Sequence, residues 1–221
     1  MVQVISAVQR KGGVGKSTTI ICLAARMAKD GARCVIIDTD PQQTCTKWAE
    51  KADCGVDAAE HLNHETLLQA IAAVSKDYDV VFIDTAGYTS AMAVYAIGAS
   101  DLVLVPTPAS EPDAEGAVTT IRHIINATAN NRKQPQVRAL FTDVDRNTNI
   151  TDVVLESLKS AGVAIIDAPM WHRTGFKEMH STGGLPSGSA LTALNGVIGA
   201  MQIENLLDFY APKKPKKGRA A

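Results

Sequence analysis

Short apolar runs alternate with longer segments of helical spacing along most of this chain. The strand-like runs fall at residues 2–8, 34–38, 80–84, 102–105, 137–141 and 163–166. Between them, residues 67–75, 115–127 and 152–161 carry apolar side chains at helical intervals. Strands that alternate with helices predict a parallel sheet, because the crossover connections lay helices on both of its faces. The expected fold class is therefore α/β, a doubly wound, mostly parallel sheet. Residues 51–63 form a polar connection with room for one short strand around Val56. Residues 174–189, with Gly175, Gly183, Gly184, Pro186 and Gly188, have the composition of a long mobile loop. A closing helix is expected over 191–210. One folded domain, 1–210, should precede a basic tail, 211–221, that has nothing to bury.

Composition narrows this picture. With 221 residues, 46% of them apolar, the chain can enclose one substantial core. No apolar run approaches the ~20 residues of a membrane-spanning helix. The first residues enter a strand directly, so no signal peptide is expected and the location expected is cytoplasmic. The four cysteines, Cys22, Cys34, Cys45 and Cys54, lack C-x-x-C spacing, which argues against a zinc or cluster site. Cys22 and Cys34 sit in apolar runs and read as small core residues. His61, His64, His123, His172 and His180 are scattered and read as surface or loop residues. The net charge is −1, yet the tail holds Lys213, Lys214, Lys216, Lys217 and Arg219 with no acid. Contact with nucleic acid would have to come from that tail or another local patch.

Three segments carry chemistry. Lys11-Gly12-Gly13-Val14-Gly15-Lys16-Ser17-Thr18 lies between the first strand and the first helix. Backbone N–H groups of such a turn converge on phosphate oxygens, and the helix N-terminus adds partial positive charge. Lys16 would reach the β- and γ-phosphates, and the Ser17 hydroxyl would face Mg²⁺. The usual pattern is G-x-x-x-x-G-K-[ST]; Arg10 replaces its first glycine, and Lys11 is a second lysine at the start of the loop. The strand at 34–38 ends in Asp38 and continues to Asp40-Pro41-Gln42, and the strand at 80–84 ends in Asp84-Thr85-Ala86-Gly87. Carboxyl ends of strands are where a doubly wound sheet holds its ligand, so Asp38, Asp40 and Asp84 fall on the edge that carries the phosphate loop.

The K-G-G-x-G-K-[ST]-[ST] loop near the start, followed by D-x-D-P-Q and the Asp84 strand, resembles the ParA/MinD ATPases. These are P-loop NTPases of the deviant Walker A type, and the likeness extends from Val2 to about Tyr210. The resemblance implies ATP and Mg²⁺ as cofactors, with ATP hydrolysed to ADP and phosphate. It implies that Gly12, Gly13, Val14, Gly15, Lys16, Ser17 and Thr18 hold the nucleotide. Lys11 would reach across a homodimer to the partner's nucleotide, and Asp40 would position and activate water. Asp84 and Ser17 would hold the metal, with Asp38 supporting its shell and the switch geometry. Thr142, Pro169 and Met170 fall where the family places adenine-side contacts. Ala86 stands where the family usually has proline. Residues 102–108 and the following Ser110-Glu111-Pro112-Asp113 resemble the family's next strand and its loop, which would contribute to dimer contacts rather than chemistry.

By the same resemblance, the ATP dimer would bind double-stranded DNA without sequence specificity. Arg173, Lys177, Lys213, Lys214, Lys216, Lys217 and Arg219 are the candidates for that contact. Association with the nucleoid in the ATP state, and a ParB-like centromere-binding or cargo adaptor protein as partner, are implied too. The acidic segment 203–210 does not suit a membrane-binding helix. With the phosphate loop at residue 11, an N-terminal helix-turn-helix is not expected. Partition of a plasmid or chromosome is the first function implied. Positioning of a protein cargo, and promotion of conjugative DNA transfer as by the similar VirC1-like proteins, are the nearest alternatives. A metabolic ATP-dependent ligase on the same fold is an alternative of another class; such ligases generally lack the lysine at position 11.

Overall fold

The computed structural model describes residues 2–87, 90–144 and 149–211. Its described strands form one sheet in the order β3-β2-β4-β1-β5-β6-β7, and every pairing is parallel. The strands are β1 (Gln3–Ala7), β2 (Cys34–Asp38), β3 (Val56–Glu60), β4 (Val80–Asp84), β5 (Leu102–Pro108), β6 (Gln136–Val144) and β7 (Met170–Trp171). The described helices are α1 (Lys16–Lys29), α2 (Thr44–Ala49), α3 (Leu67–Val74), α4 (Ala91–Ala99), α5 (Glu111–Thr128), α6 (Asn149–Ser160), α7 (Thr174–Thr182) and α8 (Gly188–Ile203). The expected α/β class and the short strand near Val56 are both present.

Burial on both faces explains why the central strands read as mostly apolar runs. Side chains alternate between the two faces. Ile5, Ile36, Phe82 and Leu104 pack with Ile20 and Leu23 of α1, Trp48 of α2 and Leu194 and Val197 of α8. On the opposite face, Val4, Val35, Ile37 and Ile83 meet Leu67 and Ile71 of α3 and Met92 of α4. Val103 and Val105 meet Ala117, Ile121 and Ile124 of α5. Registers set the carboxyl ends level, with Asp38 opposite Asp84 and Ala7 opposite Asp84. At the other end of the sheet, Gln3 Nε2 donates to the Leu206 carbonyl and Gln3 Oε1 accepts from the Asp208 amide. These bonds fasten the segment after α8 to the start of β1.

Three expectations about elements are corrected. Residues 163–166 make only an isolated bridge, Ala139 to Ile165, and it is Met170–Trp171 that pairs with β6. The turn through Asp167, Ala168 and Pro169 separates the two contacts, and proline has no N–H for a ladder. The segment expected to be a mobile loop contains α7, whose Phe176 and Met179 are buried three residues apart. Its glycines serve packing and termination. A Cβ on Gly175 would sit 3.0 Å from Ala190 Cβ and 3.1 Å from the Ser187 carbonyl. Gly183 ends the helix at φ +71° while its amide donates to the Met179 carbonyl. The closing helix stops at Ile203 rather than Tyr210: Asn205 turns left-handed (φ 55°) and the Leu206 amide bonds back to Met201.

Candidate nucleotide and metal site

The phosphate loop leaves β1 and turns into α1 through two left-handed glycines, Gly13 (φ +75°) and Gly15 (φ +93°). An L side chain at either would be strained, so glycine is required for this path. Gly15 is the N-cap of α1, and its carbonyl accepts from the Thr19 amide at 2.8 Å. The amides of Lys16, Ser17 and Thr18 precede that bond and so have no partner within the helix, which leaves them for an anion at its N-terminus. From the far side, Thr142 Oγ1 donates to the Val14 carbonyl at 2.8 Å. Thr142 thus props the loop as well as bordering its cavity.

Lys16 is 7% exposed, and its Nζ lies 3.3 Å from the Lys11 carbonyl. Burial lowers its pKa from the usual lysine value, and the charges of Asp84 and Asp40 oppose that shift. Lys11 points away from the loop. Its ammonium is 2.8 Å from Asp113 Oδ1, a pair in which the lysine side chain is 62% exposed and the aspartate 6%. Asp113 also bonds Ser110, the N-cap of α5, through its side chain and its amide.

Each acid has its own setting. Asp38 anchors the segment that follows it. Its Oδ1 accepts from the Asp40 amide, and its Oδ2 accepts from the amides of Cys45 and Thr46 and from the Thr46 hydroxyl. These bonds commit its carboxylate to shaping 38–46, the indirect part of the role expected for it. Asp40 is partly exposed, accepts from the Gln42 amide at 2.9 Å and borders the phosphate-side cavity with Lys16 and Ser17. Asp84 is buried, and its Oδ1 has no hydrogen-bond partner. Its Oδ2 accepts from the Cys45 thiol at 3.3 Å. Burial pushes its pKa up to about 6; Ser17 and Cys45 pull the other way, and Asp38 adds to the rise. A buried carboxylate with one oxygen unclaimed, beside a loop of convergent amides, fits a hard divalent cation such as Mg²⁺.

Two cavities meet over the loop. The phosphate-side one encloses about 480 Å³, and the other, about 190 Å³, has Thr142, Met170, Trp171 and Phe176 among its walls. Pro169 borders a different cavity with Phe141 and Ile166, so of the expected adenine-side residues only Thr142 and Met170 come together here. Arg173 and Lys177, expected at a DNA surface, also line the smaller cavity.

The VirC1 protein family profile matches residues 2–201. The chain belongs to the VirC1 family. Among its curated relatives, virC1 of Rhizobium rhizogenes is 30% identical over 195 residues, covering 84% of this chain and 81% of that protein. Protein ParA of Rhizobium radiobacter is 28% identical over 186 residues, covering 82% and 83%. Together with the loop, these relatives place the VirC1-family chain among the ParA/MinD-type P-loop proteins. Among solved structures it resembles the septum site-determining protein MinD of Pyrococcus horikoshii in complex with Mg-ADP. That match has a TM-score of 0.74 at 14% identity and covers 96% of this chain and 100% of the other, a likeness of fold.

Two residues at the site take roles that the sequence did not supply. Asp113, read only within the segment expected to make dimer contacts, is the partner of Lys11, and the Ser110-x-x-Asp113 spacing marks it as a capping residue as well. His180, expected at the surface or in a loop, is half-buried on the last turn of α7 and lies 3.1 Å from Thr18 Oγ1. With 174–189 read as a loop, nothing placed it there. Lys213, Lys214, Lys216, Lys217 and Arg219 lie outside the described residues. Among the described residues, no helix is long and apolar enough to cross a membrane.

Proposed function

We propose that this chain is an ATP-hydrolysing dimerisation switch that partitions or positions DNA. The observation that carries the ATPase reading is the placement of Lys16, Asp40 and the unpartnered oxygen of Asp84 around one glycine-turned loop. Phosphoryl transfer depends mainly on positioning and on neutralising charge. Lys16 and the α1 amides bind the β- and γ-phosphates, and Asp40 orients the attacking water. Ser17 and Asp84 would hold Mg²⁺, which when bound neutralises phosphate charge. Asp38 keeps Asp40 at the mouth by pinning the start of α2. Lys11, tied within its own subunit to Asp113, is exposed enough to be handed to a partner's nucleotide, so ATP favours the dimer and ADP releases it.

DNA as the surface is supported by the family membership and by the basic residues at the end of the chain. The stimulating partner is a centromere-binding or cargo-adaptor protein, and the ATP form resides on the nucleoid. The test is binding of nonspecific double-stranded DNA without nucleotide, with ADP and with ATP, using Asp40→Ala to hold ATP. Binding confined to the ATP state is the expected result. A verified ATP dimer that ignores DNA would point to a protein cargo. Failure to dimerise with ATP, together with turnover of a small acidic or amine substrate, would point to a ligase.

A further inference from the structure

His180 sits at the seam between the two cavities over the phosphate loop. Gly13, Gly15 and Thr18 border both, as residues of the loop must. Among the described residues, His180 is the one side chain from elsewhere in the chain that borders both as well. A nucleotide with its terminal phosphates at Lys16 and its base in the smaller cavity would carry its α-phosphate across this seam. We propose that His180 is a nucleotide-contacting residue whose Nε2 exchanges the Thr18 hydroxyl for the α-phosphate, clamping α7 onto the bound nucleotide. The proposal rests on the ATPase reading and adds to it a contact from α7.

The scaffold suits the role. Phe176 and Met179 are buried beneath α7, and the Cys22 thiol of α1 lies 3.4 Å from Met179 Sδ. The helix that carries His180 is thus packed on the helix that begins with Lys16. A histidine needed only to satisfy Thr18 could do so from one side of the loop; bordering both cavities sets its ring in the path of the ligand.

The electrostatics give the exchange a signature. Burial and the charge of Lys51 lower the His180 pKa, so the imidazole is neutral at pH 7 in the free protein. The charged groups around it are Lys16 and Asp40 in one cavity, Arg173, Lys177 and Asp143 in the other, and Lys51 beyond. A phosphate at hydrogen-bond distance favours the imidazolium. Nucleotide binding should therefore draw a proton from solvent onto this ring.

The experiment is titration calorimetry of the full chain with ADP, without magnesium, in buffers of different ionisation enthalpy across about pH 5 to 8, where histidine titrates. Wild type is compared with His180→Gln and His180→Ala. The expected result is that wild type takes up more protons on binding than either variant. Its affinity should exceed that of His180→Ala by roughly tenfold, the worth of a charge-assisted hydrogen bond. The glutamine variant should bind with an intermediate affinity that varies less with pH. Equal proton counts and affinities for wild type and a variant that melts normally would overturn the proposal while leaving the ATPase reading intact. His180→Asn serves if the glutamine variant misfolds. Absence of ADP and ATP binding in wild type would overturn both.

Discussion

At the scale of single residues, the contact between Lys11 and Asp113 sets a threshold for dimerisation. The ion pair is half in solvent, where such pairs contribute little, about 1 kcal/mol or less. The buried acid keeps Ser110 when the lysine leaves, so release is not prohibitive. Asp113→Asn removes the charge and retains the shape. The variant should dimerise with ATP at severalfold lower protein concentration by sedimentation; weaker dimerisation would instead make Asp113 part of the dimer contact.

Asp84 yields a second prediction. Its folded pKa, about 6, lies above its ordinary value of 3.8, so the folded state holds the proton more tightly than the unfolded chain. Its destabilising effect on the ligand-free protein is fully present above pH 6 and is gone below about pH 4. Two units of pKa correspond to roughly 3 kcal/mol. Asp84→Asn should raise the ligand-free melting temperature at pH 7 by several degrees, with the gain vanishing toward pH 4 and magnesium binding lost. The loop and its acids were legible in the sequence because each lies within a few consecutive residues whose spacing states its geometry. The pairing of Asp113 with Lys11 and the contact of His180 with Thr18 were not, since they arise only when α5 and α7 fold against the loop.

Among the elements, α7 shows where composition misleads. Its glycines resemble loop residues in sequence, yet Gly175 permits a close approach to α8 and Gly183 terminates the helix. A Cβ on Gly183 would fall 2.4 Å from the Lys51 carbonyl oxygen in addition to the left-handed backbone. Gly183→Ala should cost at least about 2 kcal/mol, or roughly 4 °C or more in melting temperature. A variant that melts like wild type would show that the connection after α2 yields easily. The strands β2, β4 and β5 were legible because burial on both faces leaves unbroken apolar runs, and β1 because Val2, Val4, Ile5, Ala7 and Val8 outweigh its buried Gln3 and Ser6. The edge was not: residues 163–166 have the apolar character of a strand, but they meet β6 through a single bridge, and the two-residue strand that pairs with β6 lies beyond Pro169.

For the whole molecule, the order of the sheet gathers Lys16, Asp38, Asp40 and Asp84 at one end, as the alternation of strands and helices predicted. The basic tail is a feature of the chain's charge. Deleting 211–221 should weaken DNA binding and flatten its dependence on salt, because fewer counterions are released. Unchanged slopes would assign DNA contact to the folded body. Gln3 fastens residues 206–208 at the amino end of β1, whereas the phosphate loop leaves the carboxyl end of the same strand. Residues 206–208 therefore lie about one strand length, roughly 15 Å, from the phosphate loop. On the proposed reading, ATP does not remodel the tail; it doubles it. Two weak anchors on one particle raise each other's effective concentration at the DNA, and hydrolysis detaches both by returning each to its solitary affinity. Joining the tail to an unrelated dimer should then reproduce the salt-sensitive grip with no nucleotide present.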